Sequence, residues 1–287
     1  MKRLLLVLIL CAPAWGANIF TGDANCVALW NFENGALTTD SISTNTLLAN
    51  GVIFTPTAET VDYKQGSACV DLEAGTVSQG GAYLSILDSS LSSDFPIKAS
   101  YANTVQLSVC YWFKAESLPS GATNDDRKGL FSKWDWAGDH DYVYNSFLYF
   151  DGSNPVVGTS KGYNSGADSE SSFHSTVLQT GRWYHLGTTY DDSTKLVRMR
   201  LWDDTAKSVV DVTDTQVQSI SLTTEALRVG LWGIYYASRY EFDGLVDEMV
   251  VFNDILTADE IDAIRSGTYG SAAESTTSNW WWRRRHN

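Results

Sequence analysis

Basic residues are scarce in this chain: 20 lysines and arginines stand against 34 aspartates and glutamates, a formal net charge of −14 at pH 7. A surface of that sign repels phosphate backbones, which excludes nucleic acid as an expected partner. Long apolar runs are missing too. Beyond the first few turns of chain, no stretch reaches the ~20 apolar side chains that a helix needs to cross a bilayer. Cysteine is sparse, with four in 287 residues. Cys26, Cys69 and Cys110 lie in the body of the sequence, an odd set that fits either one disulfide with a spare thiol or three buried free thiols. His140, His174 and His185 have no serine or cysteine beside them in a nucleophile setting.

The N-terminus carries a processing signature. Lys2 and Arg3 precede an apolar run from Leu4 to Leu10, and Ala14-Trp-Gly16 forms a small-residue site before Ala17. This reads as a secretory signal peptide, too short for a membrane span. Cys11 follows Leu10, whereas a lipoprotein signal wants a small side chain there. The expected organisation is a signal peptide over 1–16, one β domain over 17–270, and a linker with a tail over 271–287. The mature protein is expected to be secreted or held at the cell surface. A single sandwich accommodates this length.

What is present is organised around Phe242-Asp-Gly-Leu-Val-Asp-Glu-Met-Val-Val-Phe-Asn253. Leu245, Met249 and Val251 form one alternating set and Val246, Val250 and Phe252 the other, the pattern of a strand covered on both faces. Regular alternation puts Asp247 and Glu248 on opposite faces. A carboxylate inside such a strand is costly unless it is hydrogen-bonded, paired or metal-bound. A short helix follows: Thr257 is its N-cap, Glu260 the capping-box partner, Leu256 is placed to staple onto Ile261, and Gly267 ends it.

Further strands are expected at Cys26-Val-Ala-Leu-Trp-Asn-Phe-Glu33, with Ala28, Trp30 and Phe32 facing inward, at Gly66 to Leu72, Gly81 to Ile86 and Val105 to Lys114. Others are expected near Leu130 to Lys133, Ser146 to Phe150, Gly181 to Tyr190, Leu196 to Trp202, and Leu227 to Gly230. A Gly/Ser/Asn stretch runs on through Ser172, with no strand assigned in it. Many strands, turn-rich spacers and one helix argue for an all-β, antiparallel two-sheet sandwich of jelly-roll type. Trp30, Trp112 and Trp183 are expected to fill it.

The closing Gly-x-x-Asp-Glu strand with its Leu-Thr-x-x-Glu-Ile helix resembles the end of laminin G-like domains of the concanavalin A-like lectin/glucanase superfamily. The first strand, the Trp112 strand and the Trp-x-His strand at Trp183 and His185 resemble others of that family. The resemblance spans about Asn25 to Gly267. It implies a fold that serves lectins, adhesion modules, hydrolases and structural modules alike, so function rests on the sites.

The hydrolases of this superfamily carry a Glu-x-Asp-x-x-Glu strand that sets two carboxylates at the spacing of retaining chemistry. Here Glu260-Ile-Asp262 offers only the first half, inside the helix, with Arg265 where the second Glu would fall. No catalytic residue is expected and the chain reads as non-enzymatic, a divergent glycosidase being the lesser alternative. The family often holds a structural Ca²⁺, hard and oxygen-seeking; carried over, that implies Asp40 and Asp247, with Glu33. The acidic run Asp135 to Asp141 departs from EF-hand spacing and reads as a solvated loop.

Two aromatic stretches have the composition that stacks on sugar rings and binds hydroxyls. One supplies Trp134, Trp136, Asp139 and Tyr142, the other Trp232, Tyr235 and Tyr236. The expected partner is carbohydrate or a cell-surface protein. The tail, with Trp280, Trp281, Trp282, Arg283, Arg284 and Arg285, combines interfacial aromatics with cations suited to an anionic membrane or a partner's groove. It gives the rival reading, a structural surface or assembly protein attached through that tail.

Overall fold

The computed structural model describes residues 18–75, 80–121, 127–134, 142–233 and 240–270. The strands begin with β1 (Cys26–Trp30), β2 (Leu48–Asn50), β3 (Thr57–Glu59), β4 (Cys69–Leu72) and β5 (Tyr83–Ile86). Next come β6 (Gln106–Ala115), β7 (Lys128–Lys133), β8 (Tyr144–Phe150), β9 (Pro155–Tyr163) and β10 (Asp168–Phe173). The chain continues through β11 (Trp183–Asp191), β12 (Leu196–Asp203), β13 (Ser208–Thr215), β14 (Leu227–Val229), β15 (Gly244–Phe252) and the helix α1 (Ala258–Ser266).

Two antiparallel sheets face each other. One runs β13-β12-β11-β6-β15-β4-β3 with β1 also on β15; the other runs β10-β9-β8-β7-β14-β5-β2. Between them lies the main apolar core, which takes Trp30, Phe32, Phe95, Tyr111, Phe113, Phe131, Tyr144 and Tyr184. Trp112 and Trp183 are buried elsewhere, in a layer on the outside of the first sheet with Cys69 and Leu245. The expectation that they fill the interior is corrected by parity: Trp183 and Tyr184 alternate along β11, and Tyr184 holds the inward side. Cys26, Cys69 and Cys110 are buried free thiols.

The helix forms where its signals place it. Thr257 and Glu260 close the capping box, and Gly267 ends the helix in the left-handed region at φ = 71°. Leu256, Ile261 and Ile264 sit on Val250, Phe252 and Cys110, outside the first sheet. Arg200 of β12 binds Asp262 at 2.6 Å, and Glu260 is engaged by its cap, so neither half of the Glu-x-Asp pair is free for chemistry.

The Gly/Ser/Asn stretch in which no strand was assigned contains β9 and β10, and β13 likewise lies where no strand was expected. Small residues conceal β9 because packing requires them: a Cβ on Gly158 would stand 2.9 Å from the Phe147 ring. Strand β13 is an edge strand exposed along most of its length, so it has no buried face to announce it.

Candidate functional site

The strand β15 is the scaffold of the first site. It pairs with β6 along its length on one side, but on the other it takes β4 at Gly244, Leu245 and Val246 and β1 from Met249 to Phe252. Asp247 and Glu248 fall in the gap. The register against β6 shifts between Asp247 and Val250, and Glu248 adopts φ = 44°. This is a β-bulge, which inserts one residue and reverses the alternation after it.

The consequence corrects the alternating reading of this strand. Val246, Met249 and Val251 face the inter-sheet core, while Leu245, Val250 and Phe252 face outward. The two carboxylates no longer lie on opposite faces: Asp247 reaches the 64–65 backbone and Glu248 reaches Asn18, both at the outer surface of this sheet.

Asp247 Oδ2 accepts from the backbone N–H groups of Lys64 (2.7 Å) and Gln65 (2.8 Å), whereas Oδ1 is buried without a hydrogen-bond partner. Burial pushes its carboxyl up to about 7 against those donors. Glu248 accepts from Asn18 Nδ2 at 2.8 Å through Oε1, and its Oε2 is buried without a partner. Burial raises this carboxyl to about 8. A small cavity of about 170 Å³ opens here, lined by Asn18, Glu33, Gln65, Gly66 and Glu248 among others. Glu33 accepts from the Ser67 backbone and hydroxyl. Gly66 is required beside it, since a Cβ would lie 1.5 Å from Glu33 Oε1 and φ is +65°.

Asp40, the third residue implied for calcium, is not in this gap. Its Oδ1 accepts from the Leu29 and Ile42 backbones at 3.0 and 2.9 Å, and its Oδ2 from the backbone and side-chain amides of Asn45 at 3.0 and 3.1 Å. Those donors use the lone-pair directions of the carboxylate, so Asp40 does not fit a metal ligand. Asn45 also donates to Val27 O and accepts the Ser92 N–H, and its carbonyl takes the Trp30 indole N–H at 2.8 Å. Its role had no motif to reveal it. Among the described residues, no group of three His, Cys, Asp or Glu side chains is placed to hold a metal ion.

The second site lies on the outer face of the other sheet. Trp134 follows β7 and Trp232 follows β14; these strands pair antiparallel, so the two residues leave from opposite ends of the pair, and it is their side chains that meet on the outer face. The rings of Trp134 and Trp232 are 4.3 Å apart, Tyr142 stacks on Trp134 at 4.8 Å, and Tyr240 meets Trp232 edge-on at 5.0 Å. Arg127 lies over Trp232 and Phe147 at 4.6 and 4.9 Å.

Trp134 and Trp232 are 0% and 3% exposed, so they are not the solvent-facing stacking platforms expected of them. They form a buried layer against which Gly233 is closely held: its Cβ would lie 1.9 Å from the Trp134 ring. Both loop stems are closed by backbone bonds, Val143 N–H to Lys133 O and Trp232 N–H to Tyr240 O. Trp136, Asp139, Tyr235 and Tyr236 lie outside the described residues, as do Trp280, Trp281, Trp282, Arg283, Arg284 and Arg285 of the tail. His185 is buried edge-on against Trp112, and no helix among the described residues is long and apolar enough to cross a membrane.

Residues 81–262 match the family described as the concanavalin A-like lectin/glucanases superfamily. Among solved structures, the chain resembles domain 4 of AbnA, an extracellular arabinanase of Geobacillus stearothermophilus solved with arabinotriose. Identity is 16%, the TM-score is 0.55, and the match covers 84% of this chain and 98% of that one. It also resembles the enzymatically active domain of tailspike protein 2 of bacteriophage CBA120, at 14% identity and a TM-score of 0.52. That match covers 83% of this chain and 33% of the tailspike. No curated protein sequence matches. At these identities the structural likenesses establish the fold.

Proposed function

Since this chain belongs to the concanavalin A-like lectin/glucanases superfamily, we propose that it is an exported, non-enzymatic module that binds carbohydrate through the stretches 135–141 and 234–239. One observation carries the reading: both stretches are rooted at both ends in a single buried aromatic floor, Trp134, Tyr142, Trp232 and Tyr240. Binding loops set on a rigid scaffold are a common arrangement, because the scaffold fixes their bases while their tips meet the ligand. Trp136, Asp139, Tyr235 and Tyr236 are the contact residues in this reading. Arabinotriose bound to the similar arabinanase domain is consistent with that ligand class.

The carboxylate gap in β15 is too small for a sugar: about 170 Å³ against the ~300–1,000 Å³ of ordinary ligand pockets. That supports a structural use of Asp247 and Glu248 over a hydrolytic one. Calcium enters the proposal in narrowed form, with Asp247 through its unpartnered Oδ1 and Glu33 as ligands. Binding would raise the melting temperature by mass action, and Asp247→Asn would remove the rise.

The test is a glycan array probed with the mature chain. We expect binding that Trp136→Ala and Tyr235→Ala abolish while the melting temperature stays within a degree or so of the parent. Absence of any bound glycan, or binding indifferent to both substitutions, overturns the assignment. Release of reducing ends from a bound glycan overturns its non-enzymatic part.

A further inference from the structure

The sequence holds two Asn-Gly pairs, Asn34-Gly35 and Asn50-Gly51, and the fold treats them differently. An asparagine followed by glycine is chemically labile, because the glycine nitrogen, with no Cβ beside it, can close on the asparagine carboxamide carbon to form a five-membered imide. In a folded chain the reaction depends on how freely those two groups meet.

Asn34-Gly35 is the tip of a turn just past β1. Ala36 N–H donates to Glu33 O at 2.8 Å across it, and Gly35 takes φ = 81°, a left-handed value that such turns assign to glycine. Both residues are exposed. Among the described residues nothing bonds the Asn34 carboxamide, and the Gly35 N–H lies outside the bond that closes the turn. A Cβ placed on Gly35 would meet nothing within 4 Å, so the space around the attacking nitrogen is open.

Asn50-Gly51, at the end of β2, has none of this freedom. Asn50 Nδ2 donates to Leu48 O at 2.7 Å and to Ser85 Oγ at 2.9 Å, and its backbone pairs with Tyr83 of β5. Gly51 is pressed against its surroundings: a Cβ there would stand 1.7 Å from Phe54 O and 3.2 Å from Gly81 O. The carboxamide is held and the nitrogen that would attack it is fixed in place.

We propose that Asn34 is a modification site at which the folded protein converts itself to aspartate and isoaspartate, while the same structure protects Asn50. A base from solvent takes the Gly35 amide proton, the nitrogen bonds to Asn34 Cγ, and the Cγ–Nδ2 bond breaks to release ammonia, which carries a proton from water. Water then opens the imide. Cleavage of the new bond at Cγ leaves an ordinary aspartate, and cleavage at the backbone carbonyl leaves isoaspartate, with one more carbon in the main chain. Because nothing packs against the Gly35 tip, the turn accommodates either product and the converted chain stays folded. The converted fraction then records the age of the folded chain, and each conversion adds a carboxylate beside Glu33.

The experiment incubates the full chain in mildly alkaline buffer with chelator, folded and in urea, and follows the NH₂-to-OH mass change at both positions by peptide mapping. A protease that cuts before aspartate but not before isoaspartate separates the two products. In the folded chain Asn34 should convert at least ~10-fold faster than Asn50, since Asn50 reacts only after a local opening. In urea the two rates should come together. Similar rates in the folded chain, or an Asn34 that folding slows as much as it slows Asn50, overturns the proposal. A difference that persists undiminished in urea also overturns it, because neighbouring sequence and not the fold would then set the rates. Conversion at Asn34 that unfolds the chain, seen as loss of its thermal transition, overturns the claim that the turn accommodates the product.

Discussion

Replacing Asp40 by Asn separates two roles for that carboxylate. In the structure it organises the turn after β1 by accepting N–H bonds from Leu29, Ile42 and Asn45. Asn keeps one oxygen, which can serve the donors on one side, but turns an NH₂ group toward the donors on the other. Two charge-assisted bonds are lost at ~1.5–3 kcal/mol each, or roughly 3–6 kcal/mol together. For a domain of this size, ~2–4 °C per kcal/mol converts that into a melting temperature lower by roughly 6–24 °C. The assay is a thermal melt of the mature chain in EDTA and again in excess Ca²⁺. The expected drop is the same in both, because the lost partners are protein N–H groups. A variant as stable as the parent, or a drop confined to the calcium sample, refutes the hydrogen-bond account of Asp40.

Two other substitutions test the buried layers outside the sheets. Burial, with Arg265 and Arg200 adding to it, holds the His185 imidazole down at about 3. Its unfolded value is ~6.5, so between the two the unfolded chain takes up a proton that the native chain refuses. The stability is present above ~6.5 and is lost as pH falls toward 3, at about 1.4 kcal/mol per pH unit. Urea titrations at stepped pH should show that slope in the parent and lose it in His185→Phe; an equal slope in both assigns the acid sensitivity elsewhere. Trp134→Ala should cost ~3–5 kcal/mol by urea denaturation, because its buried ring supports three other aromatics. A loss under ~1 kcal/mol would show that the floor is not packed as described.

The parts of the fold legible in the sequence are those with a local signature. Thr257, Glu260 and Gly267 mark the helix by chemistry that acts within one turn, and Ala28 and Trp30 mark the inward face of β1 by spacing alone, with Phe32 buried just past its end. The site was less legible because its decisive features are not local. The bulge at Glu248, a register shift against β6, sits where the other edge of β15 changes neighbour from β4 to β1, and those strands are far apart in sequence. Asp40 showed a carboxylate in a loop but not the Asn45 that occupies it. For Trp134 and Trp232, composition specified aromatics near a loop; only the ring contact between residues far apart in sequence makes them one buried floor instead of two exposed platforms.

The two sites divide the labour of the sandwich between its outer faces. The carboxylate gap belongs to the sheet that carries α1, with Asp247 and Glu248 on β15, while the aromatic floor belongs to the opposite sheet, on β7, β8 and β14. Between them lies the inter-sheet core of Trp30, Phe113, Phe131 and Tyr144, a layer that sandwiches hold ~10 Å thick. Charges on the two outer faces stand further apart than that layer is thick, which weakens their coupling, and β6 and β15 are tied to each other along almost their whole length. Charge changes in the gap therefore act on how firmly the chain is closed, from Asn18 through Tyr269. In the proposed reading, substitutions in the stretches 135–141 and 234–239 change ligand binding without reopening the buried carboxylates, because among the described residues the inter-sheet core separates the two sites.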